Sequence, residues 1–233
     1  MTIQLLHLKN TPIFEQLKLE EALLRVDDAS YCIINEGSPS SIVMGISSKP
    51  EEVLFLEEAK EKKVPLIRRY SGGGCVIVDE KTIFVSFIFA KKDLSIPFYP
   101  ESILRWTEGF YQKAFRFSDF QIKENDYVIH NKKCGGNAQY LKKERCVHHT
   151  TFLWDFDSRQ MQLLKFPPKV PSYRLERSHD DFLIRMKEFF VDKDRIVKGI
   201  AIELQNRFKV CKVALQDLLP LQEQPHRKSV TLL

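Results

Sequence analysis

Arg68-Arg69-Tyr70-Ser71-Gly72-Gly73-Gly74-Cys75 is the densest feature of the chain. It joins a short strand signal, Val64-Pro65-Leu66-Ile67-Arg68, to the apolar run Cys75 to Val78. Three successive glycines remove every Cβ from one stretch, so a ligand can approach the backbone and collect N–H donors. Two arginines directly before them can neutralise a phosphate or a carboxylate. With Ser71 also adjacent, we read a ligand loop rather than a plain glycine turn. It is not a Walker A loop, which needs Gly-Lys-Ser/Thr at its end. It is not a Rossmann fingerprint either, because the third glycine would fall on Ile77.

Outward from this loop, the pattern predicts an α+β domain. On the N-terminal side Thr11 can cap a helix with Pro12 in its first position, and Ile13, Phe14, Leu17 and Leu24 give it an apolar face to about Val26. Tyr31 to Asn35 and Ser41 to Gly45 read as strands, and Glu51 to Lys62 as a charged amphipathic helix. On the C-terminal side Cys75–Val78 and Thr82–Phe89 flank Asp79-Glu80-Lys81, a hairpin signal. Ser102–Phe115 reads as a helix, Asp126–His130 and Cys146–Phe156 as strands, and 166–171 as a proline-rich linker. Ser178 can cap a helix from His179 to about Val191, and Arg195–Phe208 is another. Residues 1–221 are expected to form one domain and 222–233 a flexible tail.

Composition narrows the class. The chain has 233 residues, 43% hydrophobic and 29% charged, which is ordinary globular composition and enough to build a core. No apolar run approaches the roughly 20 residues of a membrane helix, and no signal peptide is visible, so a cytoplasmic protein without membrane contact is expected. Five cysteines without a CxxC pair argue against structural zinc and against a disulfide scaffold. The net charge of +5 is a mild excess that suits an acidic protein partner and is too diffuse to indicate nucleic acid.

Three further segments carry chemistry. In Lys132-Lys133-Cys134-Gly135-Gly136-Asn137-Ala138 a lysine beside flexible backbone can stabilise charge that grows in a transition state, although a charged hairpin tip reads equally well. In Cys146-Val147-His148-His149-Thr150-Thr151 the two histidines point to opposite faces of a strand, so one should face a site while the other packs. Cys146 and His148 share a face, which permits a thiolate–imidazole pair, with an inert buried cysteine as the plainer reading. Asp126 is a possible carboxylate for magnesium or a simple strand-entry residue. Glu20 and Glu21 read as solvated, although Glu21 falls near the apolar stripe.

These motifs, in this order, resemble the lipoate–protein ligase and octanoyltransferase family, the biotin/lipoate A/B protein ligases. Arg68 to Val76 resembles its RRxSGGGxV loop, Lys133-x-x-Gly136-x-Ala138 its lysine segment, and His148-His149-Thr150-Thr151-Phe152-Leu153 its His-His-Gly-Thr-Leu-Leu strand. The resemblance covers about residues 10 to 160. It implies the family's catalytic-domain fold, with mixed β-sheets flanked by helices. It also implies activation of lipoate with ATP and Mg²⁺ to lipoyl-AMP, and transfer of the acyl group to a lysine of a lipoyl domain. That domain would belong to a 2-oxoacid dehydrogenase or a glycine cleavage protein.

By the same resemblance Lys133 contacts the acyl carbonyl and the adenylate phosphate. Arg69, Ser71, Gly72, Gly73, Gly74, Cys75 and Val76 wrap the acyl-adenylate. Gly136, Ala138 and His149 line the pocket, Leu17 and Leu19 touch the acyl chain, and Asp126 sits near the metal. The sequence departs from the family pattern at Val78, where the family has a histidine, and at Thr150, where it has a glycine. Two alternatives follow. One is an ATP-independent octanoyl or lipoyl transferase fed by an acyl carrier protein, with Cys146 as nucleophile. The other is a non-catalytic acyl- or nucleotide-binding relative. A separate accessory protein is a further expected partner. No Gly-Arg-Gly-Arg-x-Gly-Arg loop is present, so a biotin ligase is not indicated.

Overall fold

A computed structural model describes residues 1–167 and 170–233. Within the expected proline-rich linker, Pro168 and Lys169 lie outside the described residues. Along the chain the elements are β1 (Thr2–Lys9), α1 (Ile13–Val26), β2 (Tyr31–Glu36), β3 (Ser41–Met44), α2 (Pro50–Val53), α3 (Leu56–Glu61), β4 (Leu66–Arg68), β5 (Cys75–Val78) and β6 (Thr82–Ala90). There follow α4 (Pro100–Phe115), β7 (Gln121–Lys123), β8 (Asp126–Ile129), β9 (Lys132–Leu141), β10 (Arg145–Leu153), α5 (Ser158–Met161), α6 (His179–Phe182), α7 (Lys193–Arg207), β11 (Lys209–Val213), α8 (Leu215–Glu223) and β12 (Thr231–Leu232).

The strands form an eight-stranded sheet, β11-β1-β2-β6-β10-β9-β8-β7, and a four-stranded sheet, β12-β4-β3-β5. Both are mixed. β1 pairs parallel with β2 and with β11, and β3 pairs parallel with β4, while most other pairs are antiparallel. Parallel neighbours need a crossover, and helices supply it: α1 between β1 and β2, and α2–α3 between β3 and β4.

Side-chain alternation divides the large sheet. Along β6, Ile83, Val85, Phe87 and Phe89 join one core with Phe110, Tyr111 and Phe115 of α4 and Ile196 and Ile200 of α7. Phe84 and Ile88 face the other way, into a second core with Leu17, Leu23 and Leu24 of α1 and with Val43, Ile67 and Val78 of the small sheet. The small sheet thus lies over the same face of the large sheet as α1, and the cavity described below lies on that side.

Several expectations need correction. Cys75–Val78 and Thr82–Ala90 do not pair as a hairpin. The turn closes, with Thr82 N–H on the Asp79 carbonyl at 3.1 Å, but β5 pairs with β3 and β6 pairs with β2 and β10. Continuous burial on both faces of β6 lets it serve as a central strand. The helix expected from His179 to Val191 stops at Phe182, because Ile184 N–H bonds the Lys133 carbonyl at 2.9 Å and draws the chain along β9. The helix over 51–62 is broken at Leu54–Phe55, where Phe55 N–H bonds the Leu163 carbonyl at 3.0 Å. Pro12 occupies the cap position of α1, and the hydroxyl of the distant Ser38 accepts the Ile13 N–H at 2.9 Å in place of a Thr11 cap. The tail is held rather than loose: β12 pairs with β4, Val230 is buried, and the Glu21 carboxylate accepts the N–H of Ser229 at 2.7 Å. No helix among the described residues is long and apolar enough to cross a membrane.

Candidate functional site

A cavity of about 620 Å³ opens between the two sheets. Its wall takes residues from α1, β3, β5, β6, β9, β10 and the 171–183 segment. An apolar set, Ile13, Leu17, Val43, Val76, Val78 and Phe84, shares this wall with a charged set, Asp126, Lys133, Arg174 and His179. A pocket of this size and mixed lining suits a small ligand or cofactor.

The glycine loop is folded around a buried arginine. Arg69 is 5% exposed, and its guanidinium donates to the Gly72 carbonyl from Nη2 at 2.7 Å and to the Ser71 hydroxyl from Nε at 3.0 Å. Burial pulls this guanidinium down to about 10. Gly73 has φ +97°, and a Cβ there would lie 2.8 Å from Arg69 Nη2, so both the backbone and the arginine require glycine. Gly45 passes so close that its Cβ would meet the Gly73 carbonyl at 2.2 Å. Carbonyls of the loop serve the turn after β3, with Ile46 N–H on Ser71 O at 2.9 Å and Gly45 N–H on Gly74 O at 3.2 Å. Among the described residues no acceptor meets the N–H groups of Gly72, Gly73 and Gly74. Gly73, Gly74, Cys75 and Val76 line the cavity; Gly72 and Ser71 stand behind it.

Lys133 reaches the cavity through a β-bulge. Tyr127 and Val128 of β8 face Gly135 and Lys133 of β9, so one extra residue, Cys134, is inserted. Cys134 turns into the first core while Lys133 and Gly136 both line the cavity. A Cβ on Gly136 would sit 3.4 Å from Lys133 Cε, so glycine leaves the lysine its room. Lys133 Nζ lies 2.7 Å from Asp126 Oδ1, and Tyr173 donates its hydroxyl to Asp126 Oδ2 at 2.9 Å. Burial, then the Asp126 charge and hydrogen bond, raise the Tyr173 phenol, which stays protonated.

On β10 the odd-numbered residues face the small sheet and the even-numbered ones face the first core. His149 pairs in register with Ser86 on one side and Ala138 on the other, and all three line the cavity. Its Nδ1 is 3.0 Å from Glu20 Oε2 and its Nε2 is 3.0 Å from Ser71 Oγ. His148 turns to the core, where burial pushes it down to about 3, so it is a neutral acceptor. Its Nε2 meets the Tyr127 hydroxyl at 2.9 Å. The expected division of labour between the two histidines is therefore present.

Other expected residues fall elsewhere. Cys146 does share a face with His148, but that face is the first core. The cysteine is fully buried beside Phe89 in register, and burial pushes its thiol up to about 12. Neither feature suits a nucleophile, which needs access and a thiolate. Leu19 is buried in the second core and does not line the cavity, because two residues along a helix from Leu17 it points to another side. Asp126 stands with Glu124 and Asn125 at the wall, yet no group of three or more metal-ligating His, Cys, Asp or Glu exists among the described residues.

Three functional candidates escaped the sequence reading. Glu20 is fully buried and accepts four hydrogen bonds in the wall of the cavity. Arg174 is 3% exposed, lines the cavity and has no partner for Nη2 among the described residues, while its guanidinium packs 4.4 Å from the Phe166 ring centre and 4.8 Å from that of Phe182. His179 is driven down to about 4 by burial and then by the Arg174 charge. Their only signal was position: a helix acid at spacing four from Gln16, and an arginine and a histidine just past a proline-rich stretch.

Comparison with known proteins places the chain in a family. The chain is 29% identical to "Inactive lipoate--protein ligase 2" of Plasmodium falciparum over 75% of its own length and 61% of that relative's. It therefore spans about three-fifths of that curated relative. A crystal structure of lipoate–protein ligase A bound with ATP superposes with a TM-score of 0.76 at 20% identity, over 95% of this chain and 93% of that one. A bi-partite lipoate protein ligase from Thermoplasma acidophilum, described with its E2 lipoyl domain, gives 0.76 at 20% identity over 95% and 90%. These two likenesses establish the fold of mixed sheets flanked by helices. The lipoyl protein ligase A/B catalytic-domain model matches residues 12–196, which contain every wall residue named above, and the chain belongs to that family.

Proposed function

We propose that the cavity binds a lipoyl-type acyl group as its adenylate, made from lipoate and ATP, and passes it to a lysine of a lipoyl domain. The observation that carries this reading is the meeting, in one cavity, of an apolar lining, a glycine loop with unpartnered N–H groups, and Lys133. Ile13, Leu17, Val43 and Phe84 suit the acyl chain. The loop N–H groups and Lys133 suit the acyl carboxylate oxygens and the phosphate oxygens, the two places where negative charge grows during adenylation and transfer. Arg174 adds a buried cation whose Nη2 meets no partner among the described residues, for the phosphate or the nucleotide.

Lys133 is paired with Asp126, so it must exchange that partner for the ligand. Asp126 is then the carboxylate that would hold Mg²⁺ together with phosphate oxygens, the usual arrangement for that ion. The lipoyl domain enters as acceptor because the Thermoplasma neighbour is described with one. The burial of Cys146 counts against a thioester route through that residue. The Plasmodium relative is named inactive, so turnover is what the experiment must decide.

The test is intact-mass analysis of an apo lipoyl domain after incubation with this protein. One tube holds lipoate, ATP and Mg²⁺; the other holds octanoyl-carrier protein without ATP. We expect a lipoyl mass gain only in the first. Lys133→Ala should reduce the rate by at least about a hundredfold while leaving the circular dichroism spectrum unchanged. Gain only in the second tube would replace the ligase reading with a carrier-dependent transferase, and gain in neither would remove the catalytic reading.

A further inference from the structure

Glu20 sits where a carboxylate is least comfortable. It is fully buried, and a buried charge is tolerated only when hydrogen bonds replace its water. Four donors do so. Gln16 Nε2 at 2.9 Å and the Ser86 hydroxyl at 2.5 Å reach Oε1, while the Tyr70 hydroxyl at 3.2 Å and His149 Nδ1 at 3.0 Å reach Oε2. Burial alone would raise the carboxyl, but the hydrogen bond from His149, with the charge that ring adds only when protonated, and the hydrogen bonds from Ser86 and Gln16 leave it lowered. Glu20 is therefore an ionised, acceptor-only group.

That state orders every proton in the chain beyond it. Because Glu20 only accepts, His149 Nδ1 carries the hydrogen. A neutral His149 then has an accepting Nε2, so the Ser71 hydroxyl must donate to it. The Ser71 oxygen is left to accept from Arg69 Nε, and the same guanidinium clamps the Gly72 carbonyl. The direction runs one way, from the cation of Arg69 through Ser71 and His149 to the anion of Glu20. The other tautomer at His149 would make Nε2 a second donor to the Ser71 oxygen beside Arg69 Nε, take away the acceptor of the Ser71 hydroxyl hydrogen, and leave Nδ1 facing Glu20 without a hydrogen.

We propose that Glu20 is a positioning residue: by fixing the Nδ1–H tautomer of His149 it makes Ser71 and Arg69 hold the 69–74 loop with the Gly73 and Gly74 N–H groups unpartnered at the cavity wall. The ligand end this geometry receives is an acyl carboxylate or acyl phosphate, a point that rests on the function proposed above. The relay itself does not depend on it.

The first readout is ¹⁵N NMR of His149 in histidine-labelled protein, its resonances assigned with His149→Asn. Wild type should show a protonated Nδ1 and an accepting Nε2. Glu20→Leu should shift the ring to the other tautomer and speed amide exchange at Gly45 and Ile46, whose N–H groups the loop carbonyls accept. Glu20→Gln keeps an oxygen for Nδ1–H and should retain the wild-type tautomer. The second readout is lipoate binding by calorimetry, weakened about tenfold or more in Glu20→Leu, as expected for loss of a charged hydrogen bond, and largely restored in Glu20→Gln. An unchanged tautomer in folded Glu20→Leu would overturn the proposal. If that variant does not fold, Ser71→Ala decides: it should weaken lipoate binding while His149 keeps Nδ1–H, and unweakened binding overturns the relay. If wild type binds no lipoate, the functional reading fails, and the tautomer and amide-exchange comparison still settles the role of Glu20.

Discussion

His148 and His149 are neighbours in sequence and opposites in chemistry. Strand alternation sends one to the aromatic core and the other to the cavity. His148 is held neutral, pushed from an ordinary 6.5 down to about 3 by burial. The sign of its effect on stability follows from linkage. Between those two values the unfolded chain binds a proton that the fold refuses, so stability is full above 6.5 and falls as pH drops through this window. The contribution of His148 should be smaller by about 2 kcal/mol at pH 5 than at pH 7. Urea midpoints measured at pH 5 and pH 7 check this, and His148→Gln should flatten the difference; a profile equally steep in the variant would exclude His148 as its source. The opposed histidines were legible because a period of two needs no tertiary knowledge. Glu20 was not, since an acid on an amphipathic helix ordinarily points to water. Only the folded positions of Ser86, Tyr70 and His149 reveal that donors await it.

At the scale of elements, long periodic segments were readable and their partners were not. The span of α4 to Phe115 follows from its apolar spacing, although that spacing alone begins it at Ser102 and the helix starts at Pro100, where proline suits a first helical position. What α4 packs on is a contact of high precision. Gly199 of α7 lies so close that a Cβ there would stand 2.1 Å from the Ala114 carbonyl of α4. Gly199→Ala gains helix propensity, worth about 1 kcal/mol, yet must push α4 and α7 apart although both are packed into the first core. Overpacking of this kind costs about 1–3 kcal/mol. We expect net destabilisation, seen as a lower urea midpoint with an unchanged slope. A midpoint equal to or above that of wild type would mean that the helices separate freely. The same blindness to partners explains the false hairpin. A tight turn at Asp79–Thr82 was correctly legible, but whether its two strands pair or diverge into separate sheets depends on β3, β2 and β10, which lie far away in the chain.

For the whole molecule, the site is a joint between two sheets rather than a property of either. The small sheet and its glycine loop contribute Val43, Gly73 and Val76, and the large sheet contributes Ser86, Lys133 and His149. A ligand filling this cavity touches both and binds the folded chain alone, so it must stabilise the fold by mass action, by about 2.7 kcal/mol at a hundred times its dissociation constant. We expect lipoate with ATP and Mg²⁺ to raise the urea midpoint of the wild type. Hydrogen exchange should slow at both Gly72–Val76 and Lys133–Ala138, because ligand contacts on both walls oppose their separation. Lys133→Ala should keep the unliganded midpoint and lose most of the increase, since Asp126 would then face the anionic ligand without its cation. Protection confined to one sheet would place the ligand on a single wall and leave the joint without a role in recognition. An unchanged midpoint at saturating lipoate and ATP would remove these two compounds as the occupants of the cavity.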